Sequence, residues 1–541
     1  MPDDLSENRK ILIVGAGPVG LAMALELTRH GVPCRIVDKS AGRSSKSKAL
    51  GVQARTMEVF GIMGVQEAAI QAGHKIFGMS LYAHEKRLAR IGFEALESPC
   101  PFVLVLPQSE TERILGDRSR EMGIEVERNV EVTGFSQEAH GVAATLRHAD
   151  GRLETFHAPW LIGCDGAHSV VRHTLGLPFE GAPYEEGFIL ADVKIDWSLP
   201  EDELSLFLSE DGVLGFFPMG GGMHRIVASL PVGTEQEAPT IGQIQALVNQ
   251  RGPRDARVSD PAWLSAFRIQ RRMVPRFREG RVFLAGDAAH IHSPAGGQGM
   301  NTGIQDAFNL AWKLGLVTSG AAPESLLDSY SAERVPVARK VLRITDSITH
   351  GATLHNPVAQ RIRNRVIPAL ARLGFARRRF LKELTEIGVS YPSSPIVGGH
   401  WAISGLHPGL PAGSRAPDGL LVDRESGKPV RIFDLLRDGR HALLLFGAPD
   451  GFQVLRQIAA LVERNPHVSV YSIQGESPVI PGANPLLDRD GSVHLRYHAH
   501  SACLYLVRPD GYIGFRGSPP DREALGKWLN LIFQQRAHPV F

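Results

Sequence analysis

Lys10-Ile11-Leu12-Ile13-Val14-Gly15-Ala16-Gly17-Pro18-Val19-Gly20 is the stretch that decides the fold. Its apolar run reads as a buried strand, its glycines as a tight turn, and the apolar segment that ends near His30-Gly31 as a helix. Cys34-Arg35-Ile36-Val37-Asp38 reads as the next strand, which closes a βαβ unit with an acid 23 positions after Gly15. In that setting Gly15 permits the turn, Gly17 lets backbone approach a pyrophosphate, Gly20 lets helix pack on strand, and Asp38 can hold a ribose. The context separates this pattern from a helix that merely begins with glycines. It does not separate NAD from FAD.

A second glycine-rich stretch stands almost three hundred residues on: Gly286-Asp287-Ala-Ala-His290-Ile-His292-Ser-Pro294-Ala-Gly-Gly297-Gln-Gly299-Met300-Asn301. It opens into an apolar helix carrying Ile304, Ala307, Phe308, Leu310, Ala311 and Leu314. The unsatisfied N–H groups of such a helix start form an anion cradle. Two cradles can hold two ends of one long cofactor.

At 541 residues the chain implies about three domains. Apolar residues at 43% and charged ones at 21% are globular values, and a net charge of +2 with scattered Lys and Arg excludes the footprint of a nucleic-acid binder. Cys34, Cys100, Cys164 and Cys503 form no CxxC, so neither a disulfide framework nor a zinc site is suggested. The pairs His290/His292 and His498/His500 offer too few ligands, and no metal is expected. The N-terminus lacks a signal-peptide pattern and no run of 18 apolar residues exists, so the expectation is a cytoplasmic protein without a membrane partner. One basic series (Arg361, Arg363, Arg365, Arg372, Arg377, Arg378, Arg379) raises a membrane-surface helix, but Pro368 and Gly374 interrupt it and the reading is a solvated face.

Three motifs and one helix start together resemble the class A flavoprotein aromatic hydroxylases, single-component FAD-dependent monooxygenases that include phenol hydroxylase and the aromatic-polyketide hydroxylases. They are Gly15 to Gly20; Cys164-Asp165-Gly166-Ala-His-Ser169-Val-Val-Arg172; Gly286 to Asn301; and Pro107-Gln108-Ser-Glu-Thr-Glu112-Arg113. The resemblance implies that Asp38 binds the adenosine ribose, Gln108 contacts the flavin side of FAD, and Asp287 bonds the ribityl chain. It implies that Gly299, Met300 and Asn301 set backbone amides against the flavin pyrimidine ring, with Pro294 presenting a carbonyl beside it. Pro18, Gly286 and Gly297 complete the FAD set, and Asp165 and Arg172 belong to a motif linked to both FAD and NAD(P)H. The family usually has Glu-Arg where this chain has Asp38-Lys39, and often Arg where it has Lys46 and Lys48. Lysine cannot fork onto phosphate. Arg43 and Arg55 stand nearby as alternatives, or as solvated charges.

The fold class implied is α/β: a Rossmann-like FAD-binding domain (1–75, 102–180, 276–345), an inserted, mainly antiparallel substrate-binding sheet (76–101, 181–275), a helical middle segment (346–404) and a thioredoxin-like C-terminal α/β domain (405–541). Strand-like runs at Phe77–Ala83, Phe188–Ile195, Leu206–Leu208, Val213–Met219 and Arg225–Leu230 carry the insert. Tyr82, Phe217, Pro218 and Met219 are its pocket candidates, with core packing as the alternative. His224 and Tyr82 are candidates for a substrate-deprotonating base, which the sequence leaves unassigned. In the C-terminal domain Arg508-Pro-Asp510-Gly511-Tyr512 is the most family-like piece. Without CxxC, a structural or dimer-forming role is expected rather than dithiol exchange.

The function implied is NAD(P)H-consuming hydroxylation of a phenolic or polycyclic aromatic by way of a flavin C4a-hydroperoxide, with O2 and NADPH or NADH as co-substrates. The same machinery could perform Baeyer-Villiger insertion or epoxidation. A non-catalytic flavin-binding protein is the alternative of another class.

Overall fold

The computed structural model describes residues 10–44, 47, 49–83, 85–231, 233, 237–294, 296–354, 356–401, 409–448, 451–475 and 479–534. Lys46, Lys48 and the expected boundary at 404/405 lie outside them. A six-stranded sheet holds, in spatial order, Arg278–Glu279, Val282–Leu284, Leu161–Gly163, Ile11–Val14, Cys34–Asp38 and Val126–Arg128, all parallel but the first. Ile11, Leu12 and Ile13 are fully buried, because helices cover a parallel sheet on both faces and a covered strand is apolar throughout.

Helix Pro18–Arg29 follows the first strand with proline in its first turn. Helix Gly299–Thr318 is buried all round and packs along it. Their contact is close. A methyl group on Gly303 would lie 2.6 Å from Val19 Cγ2 and 3.0 Å from Gly286 Cα, so the two glycine-rich stretches meet at Val19.

An eight-stranded sheet runs in the order His290–Ile291, Arg257–Met273, Glu180–Asp196, Met223–Leu230, Gly212–Gly220, Glu203–Ser209, Gly78–Ala83 and Lys86–Gly92. Its pairings are antiparallel apart from Glu203–Ser209 with Gly78–Ala83. One face (Ile189, Val193, Phe207, Phe216, Ile226) packs on Ile244 and Val248 of helix Ile241–Arg251. The other (Met79, Leu81, Leu206, Phe217, Met219) packs on Leu50, Ala54, Val103 and Leu384, next to the FAD-binding core.

The C-terminal domain has a second eight-stranded sheet. Strand His441–Phe446, helix Phe452–Val462 and parallel strand Val468–Gln474 form a βαβ unit; antiparallel strands Cys503–Val507 and Ile513–Ser518 lead into helix Arg522–Ile532, which packs beside the first. This is the thioredoxin-like arrangement.

Helix Asp328–Ala352 runs unbroken across 345/346, the expected end of the FAD-binding domain. No proline or glycine stands there to stop it, and Thr345 bonds back to the Val341 carbonyl at 3.0 Å. Likewise His290–Ile291, expected within the FAD-binding domain, adds a strand to the inserted sheet.

Candidate functional site

The turn after the first strand shows what each glycine is for. Gly15 has φ of +100°, and a side chain there would meet the Cys164 carbonyl oxygen at 2.5 Å. One on Gly20 would fall 1.9 Å from the Gly15 carbonyl oxygen. One on Gly17 would meet no atom within 4 Å. The outer two glycines are closed off by the fold, whereas Gly17 borders the open space in which a ligand can reach the backbone.

Asp38 ends the second strand and braces this turn: its Oδ2 accepts from Ala16 N–H at 2.7 Å and its Oδ1 from Ser40 N–H at 2.7 Å. Arg128 stands 3.7 Å away. Lone pairs remain on both oxygens for a ribose. Lys39 is exposed.

Asp165 sits beside the same turn, its Cα 2.9 Å from a Cβ placed on Gly15. One carboxylate oxygen accepts from Val171 N–H at 3.2 Å, while the other is buried without a partner. Burial pushes its pKa up, hydrogen bonds from Ser169 and Val171 opposing. A buried oxygen with no donor beside a pyrophosphate turn fits a ligand that brings one.

Gln108 opens helix Gln108–Glu121. Its N–H donates to Ser47 Oγ at 2.6 Å, its Oε1 accepts from Ala49 N–H at 3.2 Å, and its Nε2 donates to Glu112 at 2.9 Å. Beside it a cleft of about 340 Å³ is lined by Arg43, Ser44, Ser109 and Glu110. Arg43 therefore borders open space. Arg55 does not: it is 1% exposed and donates to Glu58 at 2.9 Å and to the Asp510 carbonyl at 2.7 Å, so it is neither a phosphate ligand nor a solvated charge.

The second stretch turns at Gly286-Asp287-Ala288, with Asp287 exposed. The Pro294 carbonyl accepts from Gly297 N–H at 2.8 Å. Asn301 folds back: its Nδ2 donates to the Gly51 carbonyl at 2.9 Å and the Gly297 carbonyl at 2.6 Å, and its Oδ1 accepts from Gln53 N–H at 2.8 Å. The side chain thus locks the loop on residues 51–53, leaving the first-turn N–H groups of Gly299 and Met300 at the helix start. Met300 is buried. Because Ala49 binds Gln108 and Gly51 binds Asn301, residues 49–53 tie the Gln108 helix start to the last motif.

Two groups that the sequence reading missed hold this arrangement. Asp306 takes Gly286 N–H at 3.0 Å, His290 at 2.8 Å and Arg334 at 2.6 Å, all buried. Against the cost of burial, Arg334 and His290 keep Asp306 below the usual carboxylate range. His292 lies over the helix start, its ring 3.6 Å from a Cβ placed on Gly299 and its Nε2 buried without a partner. Burial lowers it to about 4, so the ring is neutral. A legible signal existed for Asp306, a charge inside an apolar helix.

Arg172 is corrected. It is 2% exposed, donates to the carbonyls of Ala288 at 3.1 Å and Ala167 at 2.8 Å, and lies 4.0 Å over Phe179. A guanidinium so enclosed is bonded to the protein's own carbonyls rather than open to solvent. It pins the Gly286 turn instead.

Two pocket candidates, Tyr82 and Pro218, and the candidate base His224 are corrected by the period of a strand, which sends alternate side chains to opposite faces. Tyr82 stacks on Phe207 at 4.7 Å on the helix-covered face. Pro218 pairs with His224 on that face, where His224 is fully buried against Trp197 at 5.0 Å, its pKa lowered by burial. Phe217 and Met219 face the FAD-binding core. With them, by register, stands a pair the sequence reading missed: Arg225 donates to both oxygens of Asp192, at 2.7 and 2.8 Å, and lies 5.3 Å over Trp263.

The chain is similar to known proteins over nearly its whole length. A model described as FAD binding domain matches residues 8–345, and one described as aromatic-ring hydroxylase, C-terminal, matches residues 410–535. The 6-methylpretetramide 4-monooxygenase of Streptomyces rimosus is 36% identical over 96% of this chain and 92% of its own length. Pentachlorophenol 4-monooxygenase of Sphingobium chlorophenolicum is 32% identical over 94% of each. The solved anhydrotetracycline hydroxylase of Streptomyces rimosus superposes with a TM-score of 0.75 at 30% identity, covering 98% of this chain and 99% of that one.

Proposed function

Since the chain belongs to the family of FAD-dependent aromatic-ring hydroxylases, we propose that its substrate is a polycyclic, polyketide-like aromatic, hydroxylated with one atom of O2 at the expense of NAD(P)H. Aromatic hydroxylation with FAD is the family's reaction and this chain's. The substrate class follows the near full-length similarity to 6-methylpretetramide 4-monooxygenase.

The observation that carries the reading is the meeting of the two glycine-rich stretches with the Gln108 helix start. Gly17 faces open space, Val19 touches the Gly286 and Gly303 backbone, and residues 49–53 bond both Gln108 and Asn301. FAD would be held by the Gly15–Gly20 turn and Asp38 at its adenosine end, and by Asp287 and the Gly299–Met300 amides at its flavin end. When bound and reduced, it supplies the electrons that activate O2.

The protein's part is binding, orientation and charge. The helix start at Gly299 presents N–H groups and the positive end of a 20-residue dipole, which favours an anionic ring over a neutral one. His292, kept neutral by burial, adds no second positive charge there. Phe217 and Met219 give an apolar wall that excludes water, which otherwise diverts activated oxygen to peroxide. No acid or base is assigned, because both candidates, Tyr82 and His224, point to the other face of the sheet.

The test is NAD(P)H oxidation under air with polycyclic and single-ring phenols, followed by mass spectrometry and NMR of product made under labelled oxygen. One labelled ring hydroxyl on a polycyclic substrate supports the reading. A lactone, or turnover of single rings alone, contradicts it.

A further inference from the structure

Helices Pro357–Arg372 and Gly374–Leu384 carry a surface unlike the rest of the molecule. Val358, Ile362, Val366 and Leu370 recur every fourth residue and form one exposed ridge, continued by Leu373 and Phe375; Ile362 is 58% and Phe375 68% exposed. Pro368 lies inside a continuous helix, so the interruption expected there does not occur, whereas the one expected at Gly374 does: the first helix ends at Arg372 and the second begins at Gly374.

The same exposed arc bears Arg361, Arg365, Arg372, Arg377, Arg378 and Arg379. No acidic residue stands between Ser347 and Lys382, and none of these six arginines has an ion-pair partner among the described residues. Other surface arginines do have acidic partners, as Arg113 has Glu110 and Arg276 has Glu279. Helix Pro357–Arg372 packs beside strand Lys86–Gly92, whose exposed Lys86 and Arg87 extend the positive field.

We propose that this face docks on an anionic lipid surface, the helices lying in the headgroup plane with the apolar ridge inserted and the arginines against the phosphates. An apolar ridge alone would not name its occupant, but an apolar ridge rimmed by unpaired cations matches an apolar layer beneath a negative one. A second copy of this chain would bring the same positive charge to the contact and be repelled. No described helix is long and apolar enough to cross a membrane, so the association is peripheral and reversible.

The experiment is co-sedimentation of the FAD-loaded, full-length protein with vesicles of phosphatidylcholine alone and of phosphatidylcholine with phosphatidylglycerol. At least about tenfold more protein should pellet with the anionic vesicles, and molar salt should reverse it. Ile362→Ser with Leu370→Ser, and separately Arg377→Gln with Arg378→Gln and Arg379→Gln, should each remove most of that binding while flavin absorbance and circular dichroism stay unchanged. Binding no stronger to anionic than to neutral vesicles overturns the proposal. So does a concentration-dependent dimer in sedimentation velocity that the same substitutions dissolve, or retention of lipid binding in both variants.

Discussion

The guanidinium of Arg508 meets the carboxylate of Glu333 in two hydrogen bonds, Nη1 to Oε1 at 2.6 Å and Nη2 to Oε2 at 3.0 Å, with neither side chain exposed. Arg508 also binds Asp510, and Glu333 also takes Lys313 at 2.8 Å and Asn309 at 2.6 Å from helix Gly299–Thr318. The C-terminal domain thereby grips the helix whose first turn is proposed to face the flavin. Its Arg508-Pro-Asp510 motif serves as an interdomain brace.

Glu333→Gln removes one of two carboxylates that act on both Lys313 and Arg508, leaving Asp510 to serve both. Breaking such a buried pair costs about 3–5 kcal/mol. Thermal melts of apoprotein and FAD-loaded protein should both fall by several degrees, and a melt unchanged from the parent would show the brace to be idle.

Glu386 gives a pH signature. Burial raises its carboxyl to about 8 from 4.5, hydrogen bonds from Thr302 and Gln305 opposing. The unfolded chain releases this proton above 4.5 and the folded chain only near 8, so the unfolded state binds fewer protons across that window and stability falls as pH rises through it. Denaturant midpoints should show that Glu386→Gln flattens this slope. An equally steep slope in the variant would assign it to other groups.

Arg172→Ala should act on FAD, since the side chain holds the Ala288 carbonyl at the turn before the flavin-end helix. Flavin retention on gel filtration should drop, with the apparent KM for NAD(P)H unchanged in molecules that keep FAD. The reverse split would restore a nicotinamide role.

Face assignment predicts opposite outcomes for neighbouring aromatics. Phe217→Ala should raise the substrate KM by about tenfold, a loss of about 1.4 kcal/mol of binding, while Tyr82→Phe should leave kcat/KM within about twofold. Steady-state kinetics on one substrate decides, and a larger effect at Tyr82 would place the pocket on the other face.

Local pattern made part of this legible. The apolar run at Ile11–Val14, the glycine spacing and the helix after Gly299 are consequences of covalent geometry and burial, and a sequence displays them directly. Side-chain facing is different. Tyr82, Pro218 and Phe217 looked equivalent because strand register, which sorts them, is fixed by pairing with distant strands. Arg55, open between a ligand contact and a solvated charge, and Arg172, carried over as cofactor-facing, share a related reason: an arginine bonded to carbonyls through a core has the same letter as one on a surface. Asp306 and Asp192 could have been found, since an acid within an apolar run implies a buried partner.

The most direct test of the central claim is a fluorescence titration of the apoprotein with FAD, parent against Gly17→Val. A Cβ at residue 17 meets no atom of the fold within 4 Å and would enter the space assigned to the pyrophosphate. The account predicts saturable uptake of flavin by the parent and binding at least about tenfold weaker in Gly17→Val, with the apoprotein melt unchanged. Equal affinity in the two proteins, or no uptake by the parent at micromolar FAD, would contradict it.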